Sequence, residues 1–349
     1  MVRWLVVWCV LLTFLVTGCQ GDETTTGGAQ GQETVTLSYA NFPPATTFPC
    51  VQMEHWKEQV EQDSGGSLAI NTFPGGTLLG AKDMLAGVIA GQADIGCLCM
   101  SYQPGAFPMT TVTELPLGFK SSTVASSVLW DLYQKYQPKE FSQVKVLAMF
   151  TSAPTCIMSQ VPVRSLTDLA GLELRASGIA SQILDKLGAT PVSMPMSQTP
   201  EALQKGLVKG LLSSMEVLKD LNFAEYCRYE TLTNFQVYPF AVVMNLEKWN
   251  SLSAQQQAVL TDLSGKQALW TGRYMDAHVA DSLKWASETY QIEQINLSQQ
   301  DQLLAQQKVQ PLLEAWSKAA VNRGIEADAV MADLLKLKSQ AEHALEKGM

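Results

Sequence analysis

Residues 68–98, LAINTFPGGTLLGAKDMLAGVIAGQADIGCL, carry the reading on which the fold turns. Leu68-Ala69-Ile70 begin a strand that the Pro74-Gly75-Gly76 turn ends. Met84, Leu85, Val88 and Ile89 then recur at helical spacing until Gly91, and residues 93–98 form a second short apolar run. Apolar residues three and four apart make one face of a helix, whereas a short continuous run between turn residues suits a strand covered on both faces. Upstream, residues 35–40 (Val-Thr-Leu-Ser-Tyr-Ala) read as a strand, and Val51, Trp56 and Val60 mark a helix that stops at Gly65-Gly66. The order strand, helix, strand, helix, strand predicts a parallel sheet with right-handed crossovers.

Beyond it lies a break dense in Pro and Gly (Pro104, Gly105, Pro108, Pro116, Gly118), then a predicted helix over 122–136 and a strand over 144–150. A second α/β unit occupies 155–235, with strands over 171–175 and 190–194, a helix over 200–207 and a short strand near Leu211-Leu212. A strand over 240–245 is expected to return to the first unit, and from Ser253 onward the pattern reads as helical. The expectation is therefore an α/β fold of two lobes around a cleft, with crossing strands as the hinge and long C-terminal helices. One domain would take 35–153 plus about 240–270, and the other 154–239. Helices within 253–349 would pack across both. Open sheets of this kind bind ligands beyond the carboxyl ends of their strands.

Arg175 stands at such an end, followed by Ala176-Ser177-Gly178 and a helical pattern of Ile179, Ile183, Leu184 and Leu187. A strand-to-helix junction points backbone N–H groups and the positive end of a helix dipole at what lies before it. A guanidinium beside it can grip one carboxylate through two parallel N–H···O bonds. The competing reading is an arginine paired with an acidic side chain, and the local pattern alone leaves both open.

The N-terminus bears on the compartment. Arg3 precedes an apolar run from Trp4 to Val16, too short for a stable transmembrane anchor of about 20 residues and suited to the core of a signal peptide. Val16-Thr17-Gly18-Cys19 resembles a bacterial lipobox, which would make 1–18 a cleaved signal peptide and Cys19 a lipidated first residue; an ordinary signal peptide cleaved near Gly18 is the alternative. Residues 19–34 read as a flexible tether, rich in Gln, Gly, Thr and Glu. The expected address is the periplasmic face of a bacterial membrane, held there by lipid. With a formal charge of −9 at pH 7 and no basic cluster, nucleic acid is not expected as a partner. After Cys9 and Cys19, five cysteines remain (Cys50, Cys97, Cys99, Cys156, Cys227), an odd set that argues against a disulfide framework.

Chemistry of the catalytic kind does not announce itself. Only three histidines occur, far apart in sequence, and there is no Gly-x-Ser-x-Gly elbow, phosphate-binding Gly-Lys-Ser loop or Gly-x-Gly-x-x-Gly fingerprint. No cofactor and no metal are expected, and the protein does not read as an enzyme.

A set of motifs in order resembles the extracytoplasmic solute-binding proteins of TRAP (tripartite ATP-independent periplasmic) transporters. They are 73–80 (FPGGTLLG), 91–96 (GQADIG), 115–119 (LPLGF), 162–175 (PVRSLTDLAGLELR), 187–189 (LGA) and 244–252 (MNLEKWNSL). The resemblance implies a protein that binds an organic acid and delivers it to a small and a large membrane subunit, with Arg175 holding the ligand carboxylate. Arg164, in the same run beside Pro162, is given a structural or surface role. Against the sialic-acid branch of that family the sequence departs at Thr155, at Lys209-Gly210 followed by Ser213, and at Cys99 or Met100. Fewer charged and amide groups imply a less hydroxylated ligand, because buried donors left unpaired cost about 1–3 kcal/mol each. The expected pocket has Ser177 beside Arg175, then Tyr102, Ser213 and Tyr238, with Tyr39, Phe42, Met100, Phe150, Thr155, Met196 and Met215 at its edge. That set favours a monocarboxylate with an apolar or aromatic body, such as an aromatic 2-oxo acid or an amino acid. The alternatives are the binding protein of an ATP-driven importer and an exported enzyme on a similar scaffold.

Overall fold

The computed structural model describes residues 34–347; the expected signal segment, Cys19 and nearly all of the tether lie outside the described residues. In chain order the strands are β1 (Val35–Asn41), β2 (Leu68–Phe73), β3 (Ile95–Cys99), β4 (Val144–Thr151), β5 (Cys156–Ser159) and β6 (Glu173–Ala176). They continue with β7 (Thr190–Ser193), β8 (Gly210–Ser213), β9 (Tyr229–Leu232), β10 (Pro239–Asn245) and β11 (Glu293–Asn296). They form two sheets, ordered β2-β1-β3-β10-β4 and β11-β9-β5-β8-β6-β7.

In the first sheet β1 runs parallel to β2 and β3, as the alternating pattern predicts. Strand β10 enters antiparallel between β3 and β4, and every one of its residues is buried. A buried central strand carries apolar side chains on both faces, which is why Phe240-Ala241-Val242-Val243-Met244 shows no alternation. In the second sheet β6 is parallel to β7 and β8, while β5 lies antiparallel to β8 and β9.

The backbone passes between the sheets three times, from β4 to β5, back from β9 to β10, and again from β10 to β11. The first two passages are tied to each other. Ser152 N–H donates to Tyr238 O (2.9 Å), Thr155 N–H to Gln236 O (2.9 Å), and Tyr238 N–H to Ser152 Oγ (3.0 Å). Each lobe has its own sheet; one buried apolar cluster runs from the first lobe into the second, a smaller one lies within the second, and this short hydrogen-bonded pair of segments is one of the places where the backbone crosses.

A 37-residue helix, Ala254–Tyr290, is a third connection. Ser253 caps its N-terminus in a capping box with Gln256. It packs on helices Phe48–Asp63 and Ser122–Tyr136 and on β4, and further along on the short helix Val217–Asp220 of the other lobe. Close approach is permitted by Gly272, where a Cβ would fall 2.6 Å from Thr123 Cα. That approach lets Asp276 accept from Ser122 N–H (2.7 Å) and Thr123 N–H (3.0 Å), so a carboxylate from one helix satisfies the positive end of another.

Two expectations change. The helical pattern after Ser253 is not continuous. The helix ends at Gln291 in a left-handed conformation (φ 55°), and β11 then adds parallel to β9 at the edge of the second sheet. The sequence Glu293-Gln294-Ile295-Asn296 has a single apolar side chain, too little alternation to mark a strand. Strands β5 and β9 are likewise absent from the sequence reading, being four residues each. All five described cysteines are buried and free.

Candidate functional site

A cavity lies where residues of both lobes meet, at the carboxyl end of β6. It is small, about 50 Å³ as swept by the centre of a water molecule. The first lobe contributes an aromatic wall of Phe42, Phe48, Phe240 and Tyr102. Phe42 and Phe240 lie nearly parallel with centroids 6.5 Å apart, and Phe48 meets Phe240 edge-on at 5.2 Å. Behind them Phe150 stacks on Phe240 at 5.6 Å, a support rather than a lining residue. Such pairs hold one another in the offset and edge-on geometries that ring quadrupoles favour.

The second lobe contributes the polar wall. Arg175 is 1% exposed yet lines the cavity. Its Nε and Nη2 donate to Met194 O (3.0 and 2.8 Å), and Nη2 also donates to Tyr102 Oη (3.1 Å). Tyr102 Oη accepts a second bond from Met196 N–H (3.1 Å), so one first-lobe hydroxyl joins two second-lobe donors. Among the described residues no carboxylate lies within 4.0 Å of the Arg175 guanidinium, and Nη1 makes no hydrogen bond. A buried guanidinium without a counter-charge is costly. The acidic side-chain partner that the local pattern left open is not there.

The junction after Arg175 is closed by the other lobe. Glu114 accepts from Ser101 Oγ (2.8 Å) and, across the cleft, from Ile179 N–H (3.1 Å), the first N–H of helix Ile179–Leu187. Gly178 adopts φ 57°, and a Cβ there would fall 2.5 Å from Glu114 Oε2, so the crossing needs glycine on both counts. Burial pushes the Glu114 carboxyl up to about 7, against the two hydrogen bonds that favour its charge.

Two further acids face the cavity. Glu216 and Asp220 line it beside Ser213 and Ser214, and burial together with the Asp220 charge raises Glu216 to about 7. Tyr238 also lines it, donating to Leu212 O at 3.0 Å; burial pushes its phenol up. Among the described residues no group of three or more His, Cys, Asp or Glu side chains is placed to hold a metal ion.

Of the residues expected from sequence, the structure brings Arg175, Phe42, Tyr102, Met196, Ser213 and Tyr238 to this cavity. It places the others elsewhere. Tyr39 is in the first-lobe core, donating to Gln52 Oε1 (3.3 Å) and packed edge-on against Trp56. Met100 is buried in the same core. Thr155 sits on a passage between the sheets, its Oγ1 without a hydrogen-bond partner among the described residues. Met215 lines a separate surface depression with Asn234 and Arg273. Ser177 is buried just past Arg175 beside the Tyr238 phenol, without lining the cavity. The sequence does not say which side of a strand end or turn meets the cleft, and packing puts Glu216 in the cavity while its neighbour Met215 lines the other depression. Phe48, Phe240, Glu216 and Asp220 are lining residues that the sequence reading does not single out. The signal for Glu216 was its place just beyond the carboxyl end of β8, where ligands of open sheets bind.

The family model described as bacterial extracellular solute-binding protein, family 7, matches residues 39–319. A TRAP periplasmic solute-binding protein from Desulfovibrio salexigens is 61% identical, with the match spanning 88% of this chain and 96% of its own, and superposes with a TM-score of 0.80. Its crystal structure is an open complex with the C-terminus of a symmetry mate in the ligand-binding site. A Bordetella bronchiseptica TRAP periplasmic solute-binding protein with bound (R)- and (S)-mandelate is 25% identical over 88% of this chain and 99% of its own, with a TM-score of 0.83. The 2,3-diketo-L-gulonate-binding periplasmic protein of Escherichia coli is 25% identical over 66% of this chain and 71% of its own length.

Proposed function

Because the protein belongs to the bacterial extracellular solute-binding proteins, family 7, and is a TRAP transporter solute-binding protein, we propose that it closes on an organic monocarboxylate with an apolar or aromatic body and that Arg175 holds the carboxylate. The observation that carries this reading is the state of Arg175. It is buried, headed into a cavity, fixed by Met194 O and Tyr102 Oη, and without a carboxylate partner among the described residues. A ligand carboxylate supplies the missing counter-charge and can accept from Nη1, the guanidinium nitrogen that makes no hydrogen bond among the described residues.

The relatives agree with this in kind. Mandelate is an aromatic monocarboxylate, diketogulonate a sugar acid, and the C-terminus of a polypeptide ends in a carboxylate. The aromatic wall favours the first of these bodies over the hydroxylated second. In this reading residues 35–153 with about 240–270 form one domain and 154–239 the other, hinged at the paired passages. Helices within 253–349 brace both. Tyr102 and Glu114 are then closure contacts, since both reach from the first lobe to second-lobe groups. A cleaved signal peptide, a lipid on Cys19 and delivery to a small and a large membrane subunit complete the proposal.

Native mass spectrometry of the protein with its co-purified ligand identifies the acid, and calorimetry with that acid on Arg175→Ala tests the anchor. Unchanged affinity in the variant would sink the assignment of Arg175. Turnover of the acid, rather than its recovery unchanged, would favour an enzyme.

A further inference from the structure

The cavity that holds Arg175 is also lined by acids. Glu216 and Asp220 stand one helical turn apart around the short helix Val217–Asp220, and both face the cavity. Glu216 is 2% exposed; its Oε1 accepts from Ser214 Oγ (2.7 Å), while Oε2 has no hydrogen-bond partner among the described residues. Asp220 Oδ1 lies 2.7 Å from His278 Nε2, and its Oδ2 is likewise unpartnered. Among the described residues His278 is the only basic side chain within 4.0 Å of either acid. Two buried acceptors with no donor among the described residues, on side chains that line a cavity, call for an outside group.

We propose that the ligand carries, besides the carboxylate addressed to Arg175, a protonated amine that donates to Glu216 Oε2 and Asp220 Oδ2. This inference rests on the carboxylate reading of Arg175 and narrows the ligand to an amino acid or another zwitterion with an apolar body. The number of donors decides the class. An ammonium has three N–H donors and a full positive charge, enough for both free oxygens. A hydroxyl has one donor and leaves the second oxygen bare, and an oxo group has none. Charge points the same way: a cation and two acids lining one cavity complement a zwitterion better than a simple anion, which would meet Glu216 and Asp220 as like charges. The apolar body would lie against Phe42, Phe48, Val217 and Leu221, which share the cavity. Burial, with the Asp220 charge beside it, raises the Glu216 carboxyl to about 7, against the opposing pull of the His278 charge.

The test uses the mature protein and matched triplets of acids sharing one body: the amino acid, the 2-hydroxy acid and the unsubstituted acid. Phenylalanine, 3-phenyllactate and 3-phenylpropanoate form one triplet; leucine, 2-hydroxy-4-methylpentanoate and 4-methylpentanoate another. Further triplets carry the amine at the far end of the acid. Thermal shift ranks them and calorimetry measures the leaders. In at least one triplet the amine-bearing acid should bind about tenfold or more tighter than its two partners. Glu216→Gln, which keeps the shape and one acceptor, should erase that preference, and Asp220→Asn should reduce it. The melting temperatures of the ligand-free variants show whether they are folded. The inference is overturned if amine-free acids bind best, if a hydroxy acid outranks its amine, or if the preference survives in folded Glu216→Gln. Amine-free acids that bind through Arg175 would overturn the amine while leaving the carboxylate anchor standing. Binding of the acids undiminished by Arg175→Ala, or no binding in any triplet, would remove both.

Discussion

Arg164 and Arg175 belong to one run of sequence and do opposite things. Arg164 is exposed on the outer edge of the second lobe and pairs with Glu293 (Nη1 to Oε1 2.5 Å, Nη2 to Oε2 3.0 Å). Arg175 is buried at the cleft, with a carbonyl and a phenol around it and no carboxylate among the described residues. The exposed arginine has its partner and the buried one lacks it. That is the reverse of what stability alone would arrange, because an uncompensated charge is far more costly in the interior than in water. The contrast teaches where to look for a ligand: at the buried charge the protein leaves unpaired.

The contrast breaks or holds first at Arg175. Arg175→Ala should cost about 2–5 kcal/mol of affinity for the co-purified acid, since it removes the buried partner of a carboxylate. Calorimetry reads this directly. Arg175→Lys should lose less, yet still bind poorly, because an ammonium cannot keep the bonds to Met194 O and Tyr102 Oη and reach the carboxylate with a separate nitrogen as the guanidinium can. An affinity equal to that of the parent would mean that charge alone matters there.

Smaller effects sharpen the picture. Tyr102→Phe removes an acceptor shared by Arg175 and Met196 while leaving both bonds to Met194 O. Loss of that cross-lobe contact should weaken binding about tenfold, the equivalent of one hydrogen bond to a charged group at roughly 1.5 kcal/mol. A larger fall in association rate than rise in dissociation rate would count against a closure role.

The buried acids give a pH signature. Glu230, in β9 and away from the cavity, is raised to about 7 by burial, with one oxygen accepting from Gln294 and the other unpartnered. Its folded pKa lies above the unfolded one, so between about 4.5 and 7 the folded state binds more protons. The stability it contributes is therefore present at acid pH and lost as pH rises through that window. Glu230→Gln should raise the melting temperature at pH 8 relative to pH 5, compared with the parent; an equal shift at both pH values would refute the assignment. Smallest of all, Arg164→Ala should leave ligand affinity unchanged and move the melting temperature little, since exposed ion pairs contribute little and are screened by salt.

Much of this was legible in the sequence before folding was considered. The alternation of strand and helix from Val35 to Cys99, the glycine turns and the crossing strand at Phe240–Asn245 follow from residue spacing. So does the position of Arg175 at a strand end. Strand β11 was not legible, because an edge strand with one inward side chain has no pattern to read. Nor were Tyr39 and Met100 separable from Phe42 and Tyr102. All four are apolar or aromatic residues near strand ends, and only packing sorts core from cleft.

By itself, then, the sequence determined the class of fold and the one arginine worth testing, because both depend on local periodicity and on motifs in order. The tertiary structure alone decided that Arg175 has no carboxylate partner among the described residues, and that Tyr102 and Glu114 reach it and its helix from the other lobe. It also decided that Glu216 and Asp220 line the same cavity. Those facts join residues far apart in the sequence, and charge pairing and desolvation act through space, where the number of intervening residues has no meaning.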